Sequence, residues 1–393
     1  MTDAHSAAKG ETAPLKPRRW PPRAEHVGSL LRPRALLERL DDAATADANV
    51  AMAEGRGVSD QLRSLEDELI RDAVDRQIDA GLDVVTDGEF RRAFFTGGVD
   101  VALRGFQPNQ QMIVFENASG QMFETPGRPT VAARLEKVGN PLVAEAEFLA
   151  QVTDHPFKVT MPAASMYQWY GVWTPGITDK AYRDPDELAG HFVKLQREFV
   201  DEVVAAGCRY LQFDFPFYPL YVNERHRTKW RAMGFDDEEY LERILRVDRQ
   251  VVDGLPHDVR TAMHLCRGNA GDAWLTSGSI EPVAEHMFSL PYDTFLVEWD
   301  DKARDGDYSA LRHVPKGPIV ALGIVSTKRP ETESEDQLMR EIDEASKYLA
   351  VEQLAITPQC GFGTVAILQS VNEETQWRKL ALVGAVADRV WSR

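Results

Sequence analysis

The stretch PDELAGHFVKLQREFVDEVVAAGCRYLQFDFP, residues 185–216, holds the pattern that decides the fold. Pro185 to Ala206 carries apolar residues at helical spacing and stops at Gly207. Tyr210–Phe215 follows as a short, apolar strand. Seven similar strand candidates flank it: Ala24–Leu30, Asp83–Asp87, Lys158–Ala163, Arg260–Leu265, Thr294–Trp299, Ile319–Val325 and Leu354–Thr357. Helical segments at Asp60–Ala80, Glu238–Val252, Ser334–Leu349 and Glu373–Trp391 lie between or after them. Strands that alternate with helices pair in parallel, and eight such units predict a closed (β/α)₈ TIM barrel, with a doubly wound open sheet as the alternative.

One stretch breaks the alternation. Residues 99–157 contain turn signals and alternating Ile113, Phe115 and Val131, which predicts an inserted β-hairpin or small subdomain between strands two and three. Residues 24–393 are expected to form one barrel. Residues 1–23 lack the apolar core of a secretory signal and read as a disordered tail. Asp41 to Val58 is small, acidic and glycine-containing, and is expected to be a mobile loop over the barrel mouth.

Of the 393 residues, 62 are acidic and 45 are Lys or Arg, for a formal charge of −17. That balance argues against nucleic-acid partners and anionic membranes, both of which need a basic face. No run approaches the ~20 apolar residues of a membrane span. Three cysteines, Cys208, Cys266 and Cys360, make no disulfide framework and point to a reducing, cytoplasmic setting.

Barrel chemistry collects where strands end. His264 and Cys266 share one side of a strand, because side chains alternate with a period of two. With Cys360 and Glu298 from other strand ends they can supply the imidazole, thiolate and carboxylate donors that suit Zn²⁺. The bland reading is two unrelated core residues. Cys208 lies on the opposite rim and reads as a buried small hydrophobe. Asp214, in an apolar strand, is costly to bury without a partner. It is a candidate for binding a substrate ammonium or for proton transfer, or else a structural salt bridge. Glu89 follows Asp87-Gly88. Gly28 and Ser29 offer close backbone approach and a hydroxyl that can hold a carboxylate. Aromatic residues crowd positions 166–173, as a stacking wall or a packed loop. Glu331 to Asp336 reads as a helix start whose acids the helix dipole favours.

In order along the chain, HVGSLLRP (26–33), GLDVVTDGE (81–89), LQFDFP (211–216), HLC (264–266), Glu298 and TPQCGFGT (357–364) resemble the catalytic barrel of cobalamin-independent methionine synthases, above all the short, single-domain members. The resemblance runs from about Ala24 to the C-terminus. It implies zinc on His264, Cys266, Glu298 and Cys360, and homocysteine held by Gly28, Ser29, Glu89 and Asp214. It implies methyl transfer from a methylated folate or from methylcobalamin, the latter free or on a corrinoid protein, and leaves an oligomer open. Two departures stand out. The chain has no room for the N-terminal barrel of the long members. The seventh strand runs into Ser326-Thr327-Lys328, where the family has a proton-donating histidine, and Ser326 or Lys328 could take its place. Three rival readings are zinc-dependent addition of another thiol to an epoxide, as in the coenzyme M transferases of the superfamily, a zinc-free uroporphyrinogen decarboxylase-like enzyme using Arg91 and Arg92, and a non-catalytic zinc-binding protein.

Overall fold

The computed structural model describes residues 20–42, 60–109, 111–169, 171–366 and 370–392. Six parallel strands form one continuous sheet, in the spatial order Leu354–Pro358, Ile319–Val325, Thr294–Glu298, Arg260–Leu265, Tyr210–Asp214 and Val159–Pro162. Two further segments complete the circle. Ala24 bridges in parallel to Ile356 at one end of the sheet, and Val85 bridges to Phe157 beside the other. The amide of Asp83 donates to the Ala24 carbonyl at 2.8 Å and joins the two. The result is a (β/α)₈ barrel.

The first two positions depart from the strand expectation, since each is a single bridge rather than a ladder. Side chains have taken the backbone groups a ladder would use. The Asp83 carboxylate accepts from the amides of Arg23 and Ala24. The Gln77 amide bonds both the N–H and the carbonyl of Thr86, and Thr86 Oγ1 donates to the Gly28 carbonyl.

The helices lie close to their predicted spans. Asp60–Asp79, Pro185–Ala205, Asp237–Val252, Glu335–Ala345 and Glu373–Trp391 each follow an apolar period, and Asp184, Asp236, Ser334 and Asn372 cap the last four through their side chains. The expected insertion is two nested antiparallel pairs. Leu103–Gln107 pairs with Thr130–Lys137, and within it Met112–Asn117 pairs with Met122–Pro126. The inner pair gains a third strand from Ala273–Trp274, which follows the fifth barrel strand. The helix Pro141–Val152 then leads back to the barrel. The mobile-loop expectation for Asp41–Val58 and the tail expectation for 1–23 fall almost entirely outside the described residues. Among the described residues no helix is long and apolar enough to cross a membrane.

Inside the barrel, Val27, Val84, Tyr210, Ala262, Leu296, Ile319, Ala321 and Ala355 form a compact apolar plug. This plug sets the direction of the site. Counting by two from Tyr210 gives Gln212 and Asp214, from Ala262 gives His264 and Cys266, and from Leu296 gives Glu298. On these three strands the inward row therefore begins apolar at the floor and ends polar at the mouth.

Candidate metal and substrate site

Three of the four expected metal donors meet. The ligand atoms of His264, Cys266 and Cys360 all lie within 4.8 Å of one another, and all three residues are buried. The two thiol sulfurs are 3.4 Å apart. His264 donates from Nδ1 to the Leu296 carbonyl at 3.2 Å, which leaves Nε2 for the neighbouring thiols; against the effect of burial, Cys360 raises the His264 pKa. A backbone carbonyl on one ring nitrogen is the usual orienting contact of a metal-bound imidazole. The Gly268 amide donates to Cys266 Sγ at 3.1 Å. The hydrogen bond from Cys266, then His264, holds the Cys360 thiol well below the usual thiol range. A buried imidazole nitrogen beside two thiols, one of them acidic, is a donor set that fits Zn²⁺.

Glu298, the expected fourth donor, is not brought into this group. Its Oε1 lies 2.7 Å from Arg304 Nη1 and 3.0 Å from Lys328 Nζ, and its Oε2 accepts from the Arg267 amide at 2.7 Å. Burial opposes its ionisation, yet Lys328, Arg304 and Arg267 hold it down to about 2. Lys328 is itself buried and gives a second bond, at 2.7 Å, to Gln359 Oε1. Ser326 Oγ accepts from the Lys328 amide.

Of the expected substrate groups, Ser29, Glu89 and Asp214 share one cavity with the three donors, while Gly28 is not among its described lining residues. The cavity has a volume of about 340 Å³ and is lined by Ser29, Glu89, Asp214, His264, Cys266 and Cys360 at the barrel mouth. Glu89 Oε1 accepts from Thr160 Oγ1 at 2.7 Å, Thr160 accepts from Arg92 at 3.0 Å, and Glu89 Oε2 has no hydrogen-bond partner. Burial raises the Glu89 pKa. Asp214 accepts from Gln212 Nε2 at 2.7 Å, and burial, partly offset by His264, pushes it up to about 7. Gln212 also donates to the Val27 carbonyl, so one amide ties Asp214 to the first barrel segment.

Backbone geometry serves the same residues. Glu89 and Phe215 have φ of 57° and 58° without being glycine. Conformations of this kind cost about 1–3 kcal/mol and cluster at functional sites. Gly28 has φ +155°, and a Cβ there would come within 2.8 Å of Thr160 Cγ2 and 2.9 Å of Glu89 Oε1. Only glycine lets the first segment pack against them.

Sequence reasoning missed the supports, Thr160 and Arg92 for Glu89 and Gln212 for Asp214. Gln212 had a readable signal, since it stands two residues before Asp214 on the same strand. It also missed the roof. The insertion sends Ile113, Phe115, Thr125 and Arg128 to the cavity, where they meet Phe94, Phe95, Trp169, Phe215 and Leu275. Of the aromatic run at 166–173, Trp169 lines the cavity, while Tyr167 points away and donates to Asp100. Arg91 and Arg92 do not line this cavity. They are spent on Asp67 and Glu145 beside a separate cleft, which does not suit the decarboxylase reading. Cys208 is fully buried, donates to the Tyr210 carbonyl, and is pushed up to about 11 by burial, as an inert thiol should be.

The family model described as cobalamin-independent synthase, catalytic domain, matches residues 41–381. The chain belongs to this family. It is 33% identical over 383 residues to the uncharacterized protein YxjH of Bacillus subtilis, with 96% of each chain covered. A 5-methyltetrahydropteroyltriglutamate–homocysteine methyltransferase of Lactiplantibacillus plantarum is 24% identical over 293 residues, which span 73% of this chain and 34% of that enzyme. Among solved structures, a Listeria monocytogenes protein described as a candidate vitamin-B12-independent methionine synthase superposes with a TM-score of 0.69 at 25% identity, covering 94% of this chain and 98% of that one. A B12-independent methionine synthase from Shewanella, solved with selenomethionine, shares the fold with a TM-score of 0.65 at 20% identity, covering 86% and 91%.

Proposed function

We propose that this protein is a zinc-dependent thiol S-methyltransferase that makes methionine from homocysteine. The observation that carries the reading is the meeting of His264, Cys266 and Cys360 in the same small cavity as Glu89, Asp214 and Ser29. Zinc held by the three donors would lower the pKa of an incoming thiol, ordinarily near 8.5, so that it is a thiolate at neutral pH.

The chain's own residues do the rest. Leu296 holds the Nδ1 proton of His264, so Nε2 is the nitrogen offered to the metal. Asp214 and the unpartnered oxygen of Glu89 take the substrate ammonium, and Gln212 and Thr160 keep the two carboxylates in place. Ser29 faces the α-carboxylate, and Gly28 lets the first segment pack against Thr160 and Glu89. The apolar roof keeps water from the thiolate. Glu298 is proposed for the fourth metal position. To take it, the side chain must exchange its bonds to Arg304 and Lys328.

The test uses Co²⁺ in place of zinc, because cobalt reports its ligands in the visible spectrum. Homocysteine alone should produce a new thiolate-to-cobalt band. An unchanged spectrum would mean a closed, structural metal site, and a protein that binds neither cobalt nor zinc would end the reading. Glu298→Gln should change the cobalt spectrum of the metal-loaded protein if the carboxylate is a ligand, and leave that spectrum unchanged otherwise.

A further inference from the structure

The first two barrel segments are joined to the six-strand sheet by one bridge each, Ala24 to Ile356 and Val85 to Phe157. These thinly paired segments nevertheless carry two of the cavity's substrate groups. Ser29 follows the first segment and Glu89 the second, while the metal donor Cys360 follows the neighbouring eighth strand. One side chain spans all three loops. Arg32 is buried, and its guanidinium donates four hydrogen bonds to main-chain carbonyls. Nη1 reaches Leu30 at 3.0 Å and Gly363 at 2.6 Å, and Nη2 reaches Glu89 at 2.6 Å and Arg92 at 2.7 Å. A guanidinium is a planar fork of fixed geometry, so these bonds set the loops relative to one another.

The loops are shaped to meet this fork. A Cβ on Gly361 would stand 2.0 Å from Ser29 Oγ, and one on Gly363 would stand 2.2 Å from the Leu30 carbonyl oxygen and 2.7 Å from Arg32 Nη1. The Phe362 amide donates to the Ser29 carbonyl at 2.9 Å, and the Leu30 amide to the Gly88 carbonyl at 3.0 Å. Glu89 is the residue that most needs the hold. Its φ of 57° persists in a non-glycine residue only where the surroundings over-determine it. Its amide donates to Asp87 Oδ1 at 2.9 Å, and its carbonyl accepts from the Arg92 amide at 3.0 Å as well as from Arg32. Arg32 itself is not among the described residues that line the cavity.

We infer that Arg32 is a positioning residue that fixes the distance between the amino-acid end of the substrate and the metal, and so selects the thiol by its length. The inference rests on the thiol reading above. Ser29 and Glu89 take the carboxylate and the ammonium on one side of the fork, and Cys360 belongs to the centre that takes the sulfur on the other. A substrate held at both ends must match the span between them. Homocysteine and cysteine differ in that span by one methylene.

The experiment follows the thiolate-to-cobalt band of the cobalt-loaded protein with three thiols. Homocysteine and cysteine carry the amino-acid end, and propanethiol carries the sulfur alone. The unaltered protein should bind homocysteine about tenfold or more tightly than cysteine, the scale of discrimination a single methylene gives. Arg32→Met keeps the apolar stem and removes the fork. It should weaken homocysteine by about that factor, bring it close to cysteine, and leave propanethiol unchanged. Arg32→Lys keeps the charge without the fork and should fall between the two. It carries the same comparison where the methionine variant does not fold. In a Glu89→Gln background Arg32→Met should lose most of its effect, the non-additivity expected when one residue acts through another. Equal binding of homocysteine and cysteine by the unaltered protein overturns the inference. So does a homocysteine affinity that Arg32→Met leaves intact, a propanethiol affinity that falls in step, or full additivity with Glu89→Gln. Absence of the band with all three thiols overturns the thiol reading itself, since propanethiol needs only the metal.

Discussion

The floor and the roof of the cavity are built by opposite rules. The floor is made of barrel strands, whose inward rows run from Tyr210, Ala262 and Leu296 to Asp214, Cys266 and Glu298. Each polar group there has an assigned neighbour: Leu296 for His264, Thr160 for Glu89, Gln212 for Asp214. The roof comes from an insertion pinned to the barrel by pairing with Ala273–Trp274, and it is mainly apolar. Directional bonds hold a nucleophile to a fixed geometry, whereas an apolar surface selects by shape and charge. The contrast implies that the floor sets the chemistry and the roof sets the partner.

The largest effect that could break this division is at the floor. Cys360→Ala removes one of three donors from a type of site worth about 10–16 kcal/mol in small zinc domains. The variant should lose its zinc on dialysis, measured by atomic absorption, and its methyltransfer with it, while circular dichroism stays unchanged. Retained zinc would place the metal elsewhere.

Asp214→Asn should act next. Leaving the substrate ammonium without its partner costs about 2–5 kcal/mol, so kcat/KM for homocysteine should fall on the order of 100-fold with zinc content unchanged. A loss confined to the donor's KM would merge floor and roof into one site.

Phe115→Ala should act at the roof alone. Phe115 is stacked on Phe123 at 5.5 Å within the insertion. Its loss should raise the donor's KM about tenfold, near 1.4 kcal/mol, and leave the homocysteine-induced cobalt band as it was.

The smallest effect is a control outside both. Glu66 is buried under the helix Asp60–Asp79, neither carboxylate oxygen accepts a hydrogen bond, and burial pushes its pKa up to about 7 despite Arg63 at 3.1 Å. The folded protein thus holds a proton there that the unfolded chain, with a pKa near 4.3, releases. Stability falls as pH rises from about 4 to about 7 and then levels off. Glu66→Gln should raise the melting temperature at pH 8, shrink that gain at pH 5, and leave activity alone. A change in homocysteine KM would show that the helix reports on the floor.

The legible parts of this molecule were local. Helix spans, caps and the His264–Cys266 pair follow from periods of 3.6 and two over a few residues. The six central strands were read close to their observed ends. The first two were read too generously, because apolar content does not reveal that Asp83 and Gln77 will occupy the backbone groups of Ala24 and Thr86. Glu298 was placed correctly at a strand end. Its engagement by Arg304 and Lys328 depends on loops that no spacing predicts.

The sequence by itself therefore determined the alternating architecture and which side chains point into the barrel, since both depend on neighbours only a few residues away. Tertiary structure alone decided that Glu298 turns to Arg304 and Lys328 while Cys360 comes within 3.4 Å of Cys266, that Arg92 and Thr160 stand behind Glu89, and that residues 113–128 close the cavity. Those contacts arise from barrel closure and from the docking of an insertion, where the energy comes from buried area and cross-strand bonds between distant segments. A reading confined to local patterns has no access to them.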